Sequence, residues 1–374
     1  MSDARRLRLL MTADAVGGVW TYALDLAGAL APHGVETVLA VMGPRPAPDQ
    51  RAAAQRVPGL RLLETDLPLE WLAGSAAEVL GSGQALARLA QQTGADLVHL
   101  NAPGPAAAAG FPVPVLVACH SCLATWWQAV RGSEMPADFR WRAELTARGY
   151  RAADLLVAPS AAFAAATRAA YRLPAAPIVV PNARQPAVAS AMDAAQPFAF
   201  TAGRLWDEGK DAATLDRAAA LLPFPLMAAG PLEGPHGAQA AFAHLRRLGR
   251  LSTMEVAAWL AARPIFASAA RYEPFGLTVL EAAQAGCALV LADTPVFREL
   301  WADAAVFVPP GDAPAFADAI HRLAMDGERR RALGVAAGER ARHYGPEAQA
   351  QAMLAAYRRL LQGAHHQTGR DAAA

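Results

Sequence analysis

The chain has 374 residues, 54% of them hydrophobic, with 34 basic and 33 acidic side chains and a net charge of +1. That length allows two domains or one large one. With 15 arginines against 14 carboxylates up to position 180, and 19 basic against 19 acidic residues beyond it, neither half is basic enough to take nucleic acid as its main partner.

Short apolar runs alternate with longer helical stretches, the pattern of parallel α/β layers. Leu7–Thr12 reads as a first strand, followed by Gly17-Gly18 and a helix from Val19 to Ala31. Further strands are expected at Thr37–Val41, Leu97–Leu100, Val113–Ala118, Leu155–Ala158 and Ile178–Val180. Gly81-Ser82-Gly83 imitates the start of a dinucleotide fingerprint, but Leu86 stands where the third glycine belongs and no strand precedes it. Pro181, Pro186 and Pro197 bracket a segment without periodicity, read as an interdomain linker. The alternation then restarts with strand Phe198–Ala202, helix Asp211–Leu222 and strands Pro225–Ala229 and His244–Leu248. Ser252-Thr253-Met254-Glu255 has capping-box spacing and opens a helix to Ala262. Strand Ile265–Ser268, helix Leu277–Ala285, strand Ala288–Ala292 and a short run Val306–Val308 follow, and helices occupy Ala313 to about Leu361.

The expected fold is therefore α/β, with two doubly wound, Rossmann-like domains facing across a cleft at the carboxyl ends of their strands. The boundaries are 1–182 for the first domain, 183–196 for the linker, 197–345 for the second domain, 346–362 for a closing helix and 363–374 for a flexible tail. No apolar run reaches the roughly 18 residues of a membrane span, and Met1–Leu7 lacks a long apolar leader core. A cytoplasmic protein is expected, with membrane association at most peripheral and no charge asymmetry for strong docking.

One basic residue stands apart. Of the 34, 33 are arginine and one is Lys210, in Ala202-Gly203-Arg204-Leu205-Trp206-Asp207-Glu208-Gly209-Lys210. An ammonium with three donors on a flexible stem is not equivalent to a flat guanidinium fork. Beside Arg204, in a glycine-bounded turn after an apolar run, it suggests an anion site for a diphosphate; the plain alternative is a chance survivor on a solvated helix face. In Glu273-Pro274-Phe275-Gly276-Leu277-Thr278-Val279-Leu280-Glu281, two carboxylates flank a Phe-Gly-Leu turn leading into a helix. The free N–H groups of Phe275, Gly276 and Leu277 make an anion cradle, and Glu281 can accept the hydroxyls of a ribose. The plain alternative is that Glu281 is an ordinary helix carboxylate and Glu273 a solvated loop charge.

The E-x7-E of Glu273 and Glu281, followed by Ala282-Ala283 and Ala285-Gly286, resembles the signature of retaining family 4 glycosyltransferases (glycosyltransferase group 1) of the GT-B fold. Gly17-Gly18-Val19 looks like that family's N-terminal glycine loop, Val180-Pro181-Asn182 its strand end before the linker, and Gly203-Arg204-Leu205 with Lys210 its second-domain opening. Leu248-Gly249 and Arg298-Glu299 also fall at familiar positions. The resemblance implies a hexosyltransferase moving sugar from a UDP-, GDP- or ADP-sugar, itself a substrate and no cofactor, to a carbohydrate, lipid or small-molecule acceptor. Residues 1–182 would take the acceptor side, 197–345 the donor, and the closing helix would cross back onto the first domain. Arg204 and Lys210 would hold the diphosphate and stabilise its leaving charge in place of a metal ion; consistently, the sequence has no Asp-x-Asp pair. Glu281 would bind the ribose and Glu273 the donor sugar, with Phe275, Gly276 and Leu277 giving backbone contacts. His120 would reach the transferred sugar as a fourth catalytic residue beside Glu273, Arg204 and Lys210, and Gly17 and Gly18 would approach the phosphates or the acceptor from the opposite wall.

Other readings remain at this level. Cys119-His120-Ser121-Cys122 is a C-x-x-C after a strand, as in a redox pair, or offers soft metal ligands with Cys287 as a distant fourth; buried packing cysteines around a functional histidine are the better account. Three cysteines cannot all pair within one chain. A nucleotide-sugar epimerase also uses paired α/β domains, without this cation and carboxylate set. Asp14, Tyr22, Trp126, Trp127 and Arg131 are acceptor-side candidates; aromatic faces stack on sugars, although core packing is the better account of the two tryptophans.

Overall fold

A computed structural model describes residues 6–371 except 109, 189, 191–197 and 235–236, with side chains to residue 363. It divides into two compact units. The first comprises the chain up to Trp127, Ser133–Ala183 and the stretch from Pro346; the second comprises Gln128–Gly132 and Arg184–Gly345.

The first unit runs β1 (Leu7–Asp14), α1 (Gly18–Leu30), β2 (Val35–Met42), α2 (Pro48–Gln55), β3 (Leu60–Glu64), α3 (Ala76–Thr93), β4 (Leu97–Leu100), β5 (Val115–Ala118), α4 (Leu123–Val130), α5 (Ala137–Ala152), β6 (Leu155–Ala158), α6 (Ala161–Tyr171) and β7 (Ile178–Val179). The seven strands pair in the order β3-β2-β1-β4-β5-β6-β7, all parallel. Strands covered by helices on both faces read as unbroken apolar runs, and Leu9–Met11, Leu97, Val98, Leu100 and Val115–Ala118 are buried accordingly. Between Val41 and Leu97 the sequence reading has no element, whereas α2, β3 and α3 lie there. β3 is an edge strand carrying Arg61 and Glu64, so its apolar signal is diluted. Gly81-Ser82-Gly83 is helix interior: a Cβ on Gly83 would come within 2.2 Å of the Pro105 carbonyl oxygen, so glycine is what lets α3 lie against the 3₁₀ turn Gly104–Ala107.

The second unit runs β8 (Ala199–Ala202), α7 (Ala212–Ala219), β9 (Leu226–Ala229), β10 (Arg246–Gly249), α8 (Thr253–Ala261), β11 (Ile265–Ser268), α9 (Leu277–Gln284), β12 (Ala288–Ala292), α10 (Pro295–Trp301), β13 (Ala305–Val308), α11 (Ala313–Met325) and α12 (Gly327–Ala341). Its six parallel strands pair in the order β10-β9-β8-β11-β12-β13. The capping box closes as its spacing predicts: Ser252 Oγ accepts from the Glu255 N–H at 3.3 Å and Glu255 Oε2 from the Ser252 N–H at 2.7 Å. Phe200, Phe266, Phe297, Trp301 and Phe316 fill the core, with Trp259 stacked on Phe200 at 5.9 Å.

The final helix, α13 (Pro346–Asp371), groups with the first unit. Ala350, Met353, Leu354, Tyr357 and Leu360 form a stripe at helical spacing that packs into the same core as Leu26 and Leu30 of α1. The helix continues to Asp371, where the sequence reading expects a frayed tail from Gly363. No proline interrupts that stretch, and once a helix is nucleated each further residue adds a hydrogen bond at little cost. Residues 372–374 of the expected tail, and 189 and 191–196 of the expected linker, lie outside the described residues. Among the described residues no helix is long and apolar enough to cross a membrane.

Candidate functional site

Both sheets reverse their winding direction once, between β1 and β4 in the first unit and between β8 and β11 in the second. In open α/β sheets, ligands bind beyond the carboxyl ends of the strands at such switch points. In the second unit the chain leaving β8 carries Gly203, Arg204 and Lys210, and the chain leaving β11 carries Glu273 and Gly276. The predicted donor residues thus meet because neighbouring strands deliver them. A crevice of about 20 Å³ opens among Gly203, Arg204, Lys210, Ser268, Glu273 and Thr278, room for roughly one water.

Lys210 Nζ donates to Glu273 Oε2, and both side chains are largely withdrawn from solvent. The loops bearing them are stitched together. The Gly209 carbonyl accepts from the N–H groups of Arg271 (2.9 Å) and Tyr272 (3.2 Å), and Arg271 Nε donates to Asp211 Oδ2 at 2.9 Å. Arg204 donates to Asp207 Oδ2 at 2.7 Å and lies 5.7 Å from the Trp206 ring centre, yet 44% of its side chain faces solvent. Burial pushes the Asp207 pKa upward, but the charge and hydrogen bond of Arg204, the charge of Lys210 and the Gly209 N–H outweigh it, so the carboxyl is held below its usual range. Two cations are therefore presented on a braced turn, each against a carboxylate, with Arg204 the more exposed of the two.

Gly276 heads α9 with φ +93°, a left-handed conformation that disfavours any side chain. A Cβ there would meet Glu273 Cγ, Phe297 Cε1 and Val279 Cγ2, each at 3.3 Å. Gly276→Ala is expected to cost about 1–3 kcal/mol through backbone strain and to displace Glu273. Thermal unfolding would register the loss, and an unchanged midpoint would show that the turn relaxes freely. The Phe275 side chain is buried, edge-on to Tyr344 at 5.5 Å, which leaves its backbone as the part able to meet a ligand; Leu277 is the first residue of α9. One turn on, Glu281 Oε1 accepts from Arg184 Nε at 2.6 Å, with 11% of the arginine and 22% of the glutamate side chain exposed. Gln284 Nε2 holds the Arg184 carbonyl at 2.9 Å. Arg184 is a residue that sequence reasoning missed.

The first unit assembles its own group at the β1/β4 switch point. At the end of β1, Asp14 Oδ1 accepts from the N–H groups of Val16 (2.9 Å) and Gly17 (3.2 Å), shaping the turn in which Gly17 caps α1 and Gly18 starts it. Asn101 follows β4 and His120 follows β5; His120 Nε2 lies 2.7 Å from Asn101 Oδ1, and burial lowers the His120 pKa to about 4. Tyr22, expected on the acceptor side, is instead buried at 3% exposure, its ring 4.3 Å from that of His120. Trp126 and Trp127 sit edge to face at 6.1 Å, and Trp127 packs on Phe139 at 5.5 Å with its indole nitrogen buried and unpaired. Arg131 belongs by its contacts with the second unit, where it bridges Glu208 at 2.7 Å.

The thiols argue against redox chemistry. Cys119, Cys122 and Cys287 are all buried and free. Burial raises the pKa of each, that of Cys287 to about 12, the reverse of what activates a redox pair. Among the described residues no group of three or more His, Cys, Asp or Glu is arranged to hold a metal ion.

Two paired Rossmann-like sheets, each with its polar cluster at the switch point, define the GT-B class of architecture. Family models agree: "Glycosyltransferase Family 4" matches residues 16–184 and "Glycosyl transferases group 1" matches residues 238–340. The chain belongs to this glycosyltransferase family. Among solved structures, sucrose-phosphate synthase from Thermosynechococcus elongatus has a TM-score of 0.80 at 20% identity, covering 96% of this chain and 100% of that one. HepE from Anabaena, in complex with UDP and glucose, gives 0.70 at 16%, covering 94% and 99%. WaaG, a glycosyltransferase involved in lipopolysaccharide biosynthesis, gives 0.68 at 14%, covering 93% and 98%. No curated protein matches the chain in sequence.

Proposed function

We propose that the chain transfers a hexosyl group from a nucleotide sugar to a carbohydrate, lipid or small-molecule acceptor, with retention of anomeric configuration and without a metal ion. The observation that carries this is the Lys210–Glu273 pair at the β8/β11 switch point, with Arg204 beside it. An ammonium has three donors. One is spent on Glu273, leaving two for the oxygens of a donor diphosphate, and Arg204 adds a second cation where leaving-group charge grows. Glu273, facing that lysine, accepts from sugar hydroxyls. Arg184 aims Glu281 for the ribose hydroxyls, and the backbone of Phe275, Gly276 and Leu277 supports sugar and phosphate. On the acceptor side, His120 reaches the transferred sugar, with Gly17 and Gly18 opposite the phosphates. Residues 1–182 are the acceptor-side domain and 197–345 the donor domain, working in the cytoplasm. The anomeric centre passes through an oxocarbenium-like state and the acceptor attacks from the face that the nucleotide leaves. Neither glutamate is assigned as a nucleophile.

A panel of UDP-, GDP- and ADP-sugars with acceptor candidates tests the reading through release of nucleoside diphosphate. Turnover with one donor, undiminished by EDTA, and a product of the donor's anomeric configuration by NMR coupling constants are expected. Conversion of a donor to its epimer without release would instead make the chain an epimerase.

A further inference from the structure

We propose that Tyr357 and His99 are positioning residues for His120, acting through Tyr22; the functional weight of this rests on reading His120 as a site residue. His99 is completely buried on β4, between two tyrosine hydroxyls. Its Nδ1 lies 2.7 Å from the hydroxyl of Tyr357 on α13, and its Nε2 lies 3.5 Å from the hydroxyl of Tyr22 on α1. Burial, with the neighbouring His120 as a lesser cause, lowers the His99 pKa to about 3, so its ring is neutral. A neutral imidazole has one donor and one acceptor. Whichever nitrogen holds the proton, one tyrosine must donate to His99 and the other accept, so the hydroxyl of Tyr22 is oriented by that of Tyr357.

Tyr22 passes this on by contact. Its ring meets His120 edge to face at 4.3 Å and 71°, fixing the imidazole plane from one side. On the other side Asn101 fixes the proton. Asn101 Nδ2 donates to the Thr12 carbonyl at 2.5 Å and its backbone N–H to Thr12 Oγ1 at 2.9 Å. The amide is thereby oriented with Oδ1 toward His120, so the neutral His120 ring carries its proton on Nε2. Its Nδ1 is left without a hydrogen-bond partner among the described residues. An apolar trio in place of Tyr22, His99 and Tyr357 would fill a core without three polar groups to satisfy. Their connected arrangement, ending at His120, is what a positioning role explains.

The test deletes single oxygens. Tyr357→Phe and Tyr22→Phe keep both rings, and the His120 imidazole is followed by ¹⁵N–¹H NMR, assigned by comparison with His120→Asn. Both variants are expected to shift the His120 ring nitrogens, and to lower kcat about tenfold through loss of alignment with the donor KM within about twofold of wild type. A merely structural trio would lower thermal stability and leave both the His120 signals and kcat as they were; that result overturns the proposal. If Tyr357→Phe does not fold, Tyr22→Phe decides it. The spectra need no substrate, so a wild-type chain that turns over no nucleotide sugar defeats the proposed function while the shifts still judge the network.

Discussion

Replacing Lys210 by arginine is expected to lower turnover about a hundredfold, with the thermal unfolding midpoint moving by no more than a few degrees. The charge is unchanged, so the effect isolates shape. In the braced turn of Glu208–Lys210 the ammonium meets one oxygen of Glu273 and keeps two protons for other acceptors. A guanidinium would instead pair with both carboxylate oxygens in a plane, the geometry that arginine favours. That occupies the oxygen of Glu273 assigned to the sugar and turns the remaining N–H groups away from the diphosphate. The loss is of the size seen when one preorganised donor to a developing anion is removed, about 2.7–4 kcal/mol in barrier. Steady-state kinetics with the donor found in the panel measure it, and wild-type turnover would return the lone lysine to coding bias.

Glu273→Gln is expected to lower kcat about 10²- to 10³-fold on the same scale while nucleoside diphosphate binds as well or better. The substitution leaves the Lys210 ammonium, three-quarters withdrawn from solvent, without its counter-charge. An uncompensated charge of this kind costs about 1–3 kcal/mol of stability, which a bound diphosphate would restore. The variant should therefore unfold at lower temperature than wild type and gain more from added nucleoside diphosphate. Weakened nucleotide affinity together with intact kcat would mean that Glu273 serves the phosphates and not the sugar.

The lysine and the spaced carboxylates were legible because they break the background, one as a rare residue and the other as a fixed interval across a glycine turn. Central strands such as Val115–Ala118 and Ala288–Ala292 were legible because burial on both faces leaves an uninterrupted apolar run. Helices α2 and α3 were harder, since alanine serves both core and surface and carries little periodic contrast. Arg184 was hidden by its surroundings: it is one arginine among 33, in a proline-punctuated segment with no period. Only its place just after the strand end at Val180-Pro181-Asn182 hinted at it. His99 stood in plain view inside a predicted strand, but nothing local tells a buried strand histidine that its partners are 77 and 258 residues away.

The return of α13 also reverses the order in which the chain can be finished during synthesis. Domains generally fold as units in the order they leave the ribosome, but here the first sheet's hydrophobic core awaits Met353, Leu354, Tyr357 and Leu360, which follow the whole second unit in sequence. The second unit, apart from the short loop Gln128–Gly132, is an unbroken stretch ending at Gly345 and has all its own parts sooner. Until α13 emerges, α1 carries an apolar face open to chaperones, and a ribosome that stops at Gly345 releases one finished domain and one unfinished one.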